Sequence, residues 1–147
     1  AQELSREANV IHLTGRGKSV FQGEHSPANY RVFELLEEDF MLALSLADVV
    51  VTRAGLGMLG ELVLKEKATI LVPLPNSPQE ANARAVQVRA AAYVLEQSTW
   101  TRELMLETIR KALDAHKRKD LEARMGHLFP VRGVAESIVE LILSKNV

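Results

Sequence analysis

Apolar positions along this 147-residue chain change their period repeatedly. Short runs rich in β-branched residues alternate with stretches in which apolar side chains recur every three or four positions, as on one face of a helix. Val10-Ile11-His12-Leu13-Thr14-Gly15 predicts a strand that ends at a glycine, and Tyr30 to Leu35 a second, alternating strand. Over Asp39 to Leu46 a short helix is predicted, with Phe40, Ala43, Leu44 and Ala47 on one face. Asp48 to Thr52 reads as a strand, Leu56 to Lys65 as a helix, and Thr69 to Val72 as a strand closed by Pro73. A helix over Gln79 to Ala90 and a strand over Ala92 to Leu95 follow. Beyond that point the pattern is helical only, over 101–116, 120–125 and 134–144, with Ser98 or Thr99 expected to cap the first of these.

Continuous apolar strands separated by helices predict an α/β fold, an open, doubly wound parallel sheet with helices on both faces. Arg16 to Asn29, with Gly17, Gly23 and Pro27, reads as a loop. No repeat, low-complexity segment or internal boundary interrupts the pattern, so residues 1–147 are expected to form a single domain. In such sheets ligands bind beyond the carboxyl ends of the strands. Three of those ends carry unusual residues: Thr14-Gly15-Arg16-Gly17, Arg53 to Glu61, and Pro73 to Asn82.

Composition narrows the chemistry. With 18 basic and 19 acidic side chains the formal net charge is -1, which argues against a bulk basic field, and no nucleic-acid partner is expected. The absence of cysteine removes disulfides and thiolate chemistry. His12, His25, His116 and His127 lack metal-ligand spacing, so no metal is expected. Ser5, Ser19, Ser26, Ser45 and Ser77 lack the context of an activated nucleophile. His116-Lys117-Arg118-Lys119 reads as a solvated helix end, or alternatively as a contact for anionic lipid, and Trp100 is expected to pack at a strand-to-helix corner. The lack of cysteine fits a cytoplasmic protein, and the sequence shows no membrane-spanning run and no signal peptide. The chain starts at Ala1-Gln2-Glu3-Leu4, in helix-like sequence with no initiator methionine, and is expected to be a piece of something longer.

Gly55, Gly57 and Gly60 have the G-x-G-x-x-G spacing of a dinucleotide site. The context is wrong for that reading. The pattern follows the third strand rather than the first, and the next strand ends at Val72-Pro73-Leu74-Pro75 with no carboxylate for a ribose. It also lacks the lysine and hydroxyl of a nucleoside-triphosphate loop. What survives is a glycine-bearing strand-to-helix turn whose first helical N–H groups favour a diphosphate. Glu61, one turn into the helix, would repel a phosphate but can accept from the two hydroxyls of a ribose. Its other reading is a residue that merely favours the helix start.

At these residues the chain resembles a known family. "LADVVVTRAGLGMLGELVLKEKATILVPLPN", residues 46–76, is similar to the carboxyl-terminal half of the MurG-like glycosyltransferases of glycosyltransferase family 28. The matching features are Ala47-Asp48, the run Val49 to Val51, Arg53-Ala54-Gly55, Glu61, and Leu71-Val72-Pro73-Leu74-Pro75-Asn76. "VIHLTGRG" (Val10 to Gly17) and "LEEDF" (Leu36 to Phe40) extend the likeness.

The resemblance implies the Rossmann-like donor half of a two-domain, metal-independent, inverting transferase of the GT-B type. Such an enzyme carries N-acetylglucosamine from its UDP-sugar to a lipid-linked acceptor in peptidoglycan (lipid II) synthesis, at the inner face of the cytoplasmic membrane. It implies no cofactor besides the donor substrate UDP-N-acetylglucosamine. By position, Leu36 and Glu37 would border the uracil, and Glu61 would take the ribose hydroxyls. The backbone of Leu56, Gly57 and Met58 after Gly55 would face the diphosphate, and Gln79 with Glu80 or Asn82 would approach the sugar. Arg53 would reach a phosphate or, equally, pair with Asp48.

Three departures stand out. "NSPQEANA" (Asn76 to Ala83) is shorter than the family's loop, and Met58 replaces a threonine donor. No segment before Val10 supplies the family's first strand and its glycine-rich loop. The chain is therefore expected to lack that strand and its partner domain, to be inactive alone, and to self-associate through an exposed sheet edge. Two other readings stay open: a non-catalytic binding or assembly module with a decayed donor site, and a nucleotide-sugar epimerase domain.

Overall fold

The computed structural model describes residues 3–18, 27–130 and 133–144. Ser19, Gly23, His25 and Ser26 lie outside the described residues, as do Ala1 and Gln2. The chain divides into two compact units, Ala1–Ala47 and Asp48–Val147.

In the first unit, α1 (Leu4–Glu7) leads to β1 (Val10–Leu13), and β2 (Tyr30–Phe33) to α2 (Phe40–Leu46). The two strands pair in parallel, with Val10 opposite Tyr30 and Leu13 opposite Phe33. Backbone pairing runs on past β1, from Thr14 N–H to the Phe33 carbonyl and from Gly15 N–H to that of Glu34, both at 3.0 Å. The turn then reverses through Gly15 (φ 88°) and Gly17 (φ 67°), left-handed positions that glycine occupies without strain. Alternation buries Tyr30, whose hydroxyl lies 3.1 Å from His12 Nδ1, and leaves Ile11, Leu13 and Phe33 on the outer face. Burial pushes the Tyr30 phenol above its ordinary range.

In the second unit β3 (Val49–Thr52), β4 (Ala68–Leu71) and β5 (Tyr93–Val94) form a parallel sheet in the order β3-β4-β5. The connections are α3 (Leu56–Leu64) and α4 (Pro78–Val88), and α5 (Arg102–Leu113), α6 (Ala115–Gly126) and α7 (Val134–Ser144) follow β5. Ala68, Thr69, Ile70 and Leu71 are all fully buried. Because alternate residues face opposite sides, the central strand is covered on both faces, as a parallel sheet requires. Helices α5 and α6 pack on β4, and α3, which buries Leu59, Leu62 and Val63, packs on α6. Among the described residues no helix is long and apolar enough to cross a membrane.

Among the described residues the strands fall where the apolar runs put them, and each sheet is parallel within itself, yet they hydrogen-bond as one pair and one triplet. A strand's period fixes which faces are buried, not which strand lies beside it. A second difference lies in the helical tail. The helix expected over 101–116 stops at Leu113, and the one expected from Asp120 begins at Ala115. Asp114 leaves the helical region (φ -57°, ψ 125°), and its carboxylate accepts from Lys117 N–H at 3.1 Å, capping α6. The basic run therefore occupies the first turns of α6 rather than a helix carboxyl end. Arg118 turns inward to Asp48 at 2.6 Å. Trp100 is 46% exposed, so the packing expected of it is only partial.

Helix α5 is capped not by Ser98 or Thr99 but by Thr101, whose hydroxyl accepts from Leu104 N–H at 3.1 Å. Replacing Thr101 by alanine should lower stability by about 1 kcal/mol, measured as a shift in the urea midpoint.

Candidate functional site

Strand β3 ends at Thr52, and Arg53-Ala54-Gly55 carries the chain into α3. Gly55 is the N-cap, in extended conformation (φ -70°, ψ 140°), and offers no side chain to the helix start. The first intrahelical bond runs from Leu59 N–H to the Gly55 carbonyl. The N–H groups of Leu56, Gly57 and Met58 are thus left for an external acceptor. Leu56 is 70% exposed and Gly57 is exposed, so this helix start is open to ligand. Ala54 is fully buried beneath it.

The three glycines themselves are not demanded by the backbone. None has a positive φ, and a Cβ added to any of them meets nothing within 4 Å. Gly60, in the body of α3, should gain about 0.5–1 kcal/mol of stability on replacement by alanine, read from thermal or urea unfolding. Gly57 differs only in its place at the open helix start, where absence of a side chain permits close approach of a ligand.

Opposite this turn lies the loop between β4 and α4. Ser77 caps α4, accepting from Gln79 N–H at 3.3 Å and donating to the Leu74 carbonyl at 2.7 Å. The Gln79 side chain accepts from Leu74 N–H at 3.1 Å, while Asn76 takes a positive φ of 54°. Asn82 donates across to the Ala54 carbonyl at 3.0 Å, and so fixes the β3–α3 turn. Arg53 Nη1 donates to the carbonyls of Val72 (3.0 Å) and Pro73 (3.2 Å) and to Gln97 Oε1 (2.8 Å). Pairing of Arg53 with Asp48 does not occur, and Asp48 is engaged by Arg118 instead. The two flank β3, and five positions of extended chain span about 16 Å, beyond the reach of their side chains.

Arg53, Gly55, Leu56, Gly57, Met58, Gln79 and Asn82 therefore lie in two adjoining turns beyond the carboxyl ends of β3 and β4 or in the first turns of the helices that follow them. Glu61 stands on α3 about 7–8 Å along the axis from Leu56. It is half-buried, and among the described residues nothing pairs with its carboxylate. It lies beyond the first turn, where an acid interacts with the helix dipole, so mere support of the helix start does not account for it. Glu80 sits about 200° around α4 from Asn82, on the outer face beside Arg84. Leu36 and Glu37 belong to the first unit, where Leu36 is half-buried and Glu37 is paired with Arg16. Neither Ser77 nor Gln97 was singled out for this site by spacing. Ser77 carries a readable signal, a hydroxyl one residue before a proline at a helix start, whereas Gln97 carries none.

The start of α3 is thus open, with a carboxylate unpaired among the described residues further along the helix. The model of the glycosyltransferase family 28 C-terminal domain matches residues 1–138. A relative in Clostridium perfringens (strain SM101 / Type A) is 31% identical over 82% of this chain and 34% of its own length. One in Anaeromyxobacter sp. (strain K) is 34% identical over 95% of this chain and 39% of its own length. Both are named UDP-N-acetylglucosamine--N-acetylmuramyl-(pentapeptide) pyrophosphoryl-undecaprenol N-acetylglucosamine transferase. The chain thus spans about a third to two-fifths of the length of the curated relatives it matches. The crystal structure of Acinetobacter baumannii MurG has a similar fold, with a TM-score of 0.80, 23% identity and coverage of 93% of this chain and 41% of that one. A glycosyltransferase of kitacinnamycin superposes with a TM-score of 0.67 at 22% identity, over 88% of this chain and 34% of that one. On the strength of the family match and these relatives, the chain belongs to the glycosyltransferase family 28 C-terminal domain family.

Proposed function

We propose that this chain is the donor-binding part of an inverting, metal-independent transferase of the GT-B type. The parent protein would move N-acetylglucosamine from UDP to a lipid-linked acceptor in peptidoglycan synthesis, at the inner face of the cytoplasmic membrane. Family membership and the names of the relatives support the reaction class. The observation that carries the site is Glu61, half-buried and unpaired among the described residues, set back from the open start of α3. That spacing suits a ribose on Glu61 with its 5′-diphosphate at the N–H groups of Leu56, Gly57 and Met58.

In the reaction an acceptor hydroxyl attacks the anomeric carbon and loses its proton to a base. The bond from that carbon to the diphosphate breaks, and both its electrons leave on UDP. Helix α3 would stabilise the charge that develops there. The base is expected in an amino-terminal domain, so the 147-residue chain by itself should bind donor and transfer nothing. Calorimetric titration with UDP and UDP-N-acetylglucosamine, beside a transfer assay with a lipid-linked acceptor in excess EDTA, tests both statements. Sugar transfer by the chain alone would refute the second, and no affinity for either nucleotide would refute the first.

A second reading, a binding module whose sugar site has decayed, is favoured by one observation. The side-chain oxygen of Gln79 and the side-chain nitrogen of Asn82 are already bonded within the protein, and Met58 offers no side-chain donor. That reading expects equal affinity for UDP and for the UDP-sugar.

A further inference from the structure

We infer that Arg53 and Gln97 are a positioning pair, which joins the three loops at the ligand end of the β3-β4-β5 sheet and sets donor affinity without Arg53 touching the donor. The part concerning affinity rests on the donor site proposed above. The pair itself rests on geometry. A single guanidinium nitrogen at the exit of β3 reaches two carbonyls at the exit of β4, Val72 and Pro73, and the side chain of Gln97 beyond β5. Among the described residues no other donor reaches those two carbonyls. A charged donor makes these bonds stronger than neutral ones.

The tie falls where backbone pairing is thinnest. Strand β5 has only two residues, Tyr93 and Val94, and its ladder extends by a single bond from Leu95 N–H to the Leu71 carbonyl. Past that point the segment containing Gln97 is joined to the rest of the sheet by the Arg53 side chain. On the other side of Arg53, Asn82 holds the neighbouring Ala54 carbonyl. The turn that presents the open N–H groups of α3 is thus fastened at two consecutive residues, by α4 through Ala54 and by the β4 and β5 exits through Arg53. Slack at Gln97 would be felt at Gly55 to Met58.

The test uses the full 147-residue chain and four variants: Gln97→Leu, Gln97→Glu, Arg53→Gln and Arg53→Lys. Hydrogen–deuterium exchange without ligand is followed in 53–58, 72–74 and 95–98, and UDP and uridine are titrated calorimetrically. Gln97→Leu and Arg53→Gln should each raise exchange in all three segments and weaken UDP and uridine alike, by about fivefold. Their double variant should be no worse than either alone. Gln97→Glu, which keeps the acceptor, should restore the parent behaviour. Exchange confined to the substituted segment overturns the pair. So does a loss of UDP but not uridine affinity in Arg53→Gln with Gln97→Leu unaffected, since Arg53 would then be a direct phosphate ligand. If the parent chain binds neither compound, the donor reading falls and the exchange pattern alone decides the pair. Should Arg53→Gln not fold, Arg53→Lys, which keeps the charge but loses the forked geometry, gives the same comparison at smaller amplitude.

Discussion

Replacing Glu61 by alanine should remove most of the affinity for UDP and leave the fold unchanged. Hydrogen bonds to a charged group contribute about 1.5–3 kcal/mol each, and a ribose offers two hydroxyls to one carboxylate. The expected loss is at least about thirtyfold, or ~2 kcal/mol, allowing for water that takes the vacated place. Stability should hardly move, because the carboxylate has no partner among the described residues to lose. A paired titration makes the result specific. The parent chain should bind 2′-deoxy-UDP more weakly than UDP, whereas Glu61→Ala should bind both equally. If the variant still separated the two nucleotides, Glu61 would not be the residue that holds the ribose.

The second large effect belongs to the core. Ile70 is fully buried at the centre of β4, between Thr69 and Leu71, which are also fully buried. Replacing it by alanine leaves a cavity that surrounding side chains fill only in part, at a cost of about 2–5 kcal/mol. A domain of this size has ~5–15 kcal/mol in total, so the variant should lie near the limit of folding at 37 °C. In urea its midpoint should fall by roughly 1–2 M with an unchanged slope, taking ~1–3 kcal/mol per molar for the slope. Val88→Ser, at a position 81% exposed on α4, is the matched control and should stay within about 0.5 kcal/mol of the parent. Equal effects of the two substitutions would contradict the central place of β4.

These two residues also mark what was legible in the sequence. Ile70 lies in a continuous apolar run, and continuity is itself the sign of a strand covered on both faces. The elements around it were readable to within a few residues because each rests on local periodicity. The break at Asp114 was not readable in that way. An aspartate three residues before a lysine fits the middle of a helix as well as its cap, and only the backbone angles show which occurs. The same ambiguity concealed the true setting of Arg118, whose partner Asp48 is 70 residues away.

At the candidate site the Gly55 turn and Glu61 were visible, since strand, turn and helix start are contiguous. The partners of Arg53 were not, because they are main-chain oxygens and a neutral side chain 19 to 44 residues away. Such acceptors leave no mark in composition or spacing. Asp48 offered a nearer and charged partner, but the rise of an extended chain rules it out.

The distance from Arg53 to Gln97 also orders events in time. During synthesis Arg53 leaves the ribosome 44 residues ahead of Gln97, a lead of a few seconds at ~5–20 residues per second. For that interval the nascent turn before α3 lacks its final tether, while α3 and β4 are completed behind it. Competence to hold a nucleotide would then come as a late event of biogenesis, and a chain halted after β4 but before Gln97 would contain the strand and helix without a finished site.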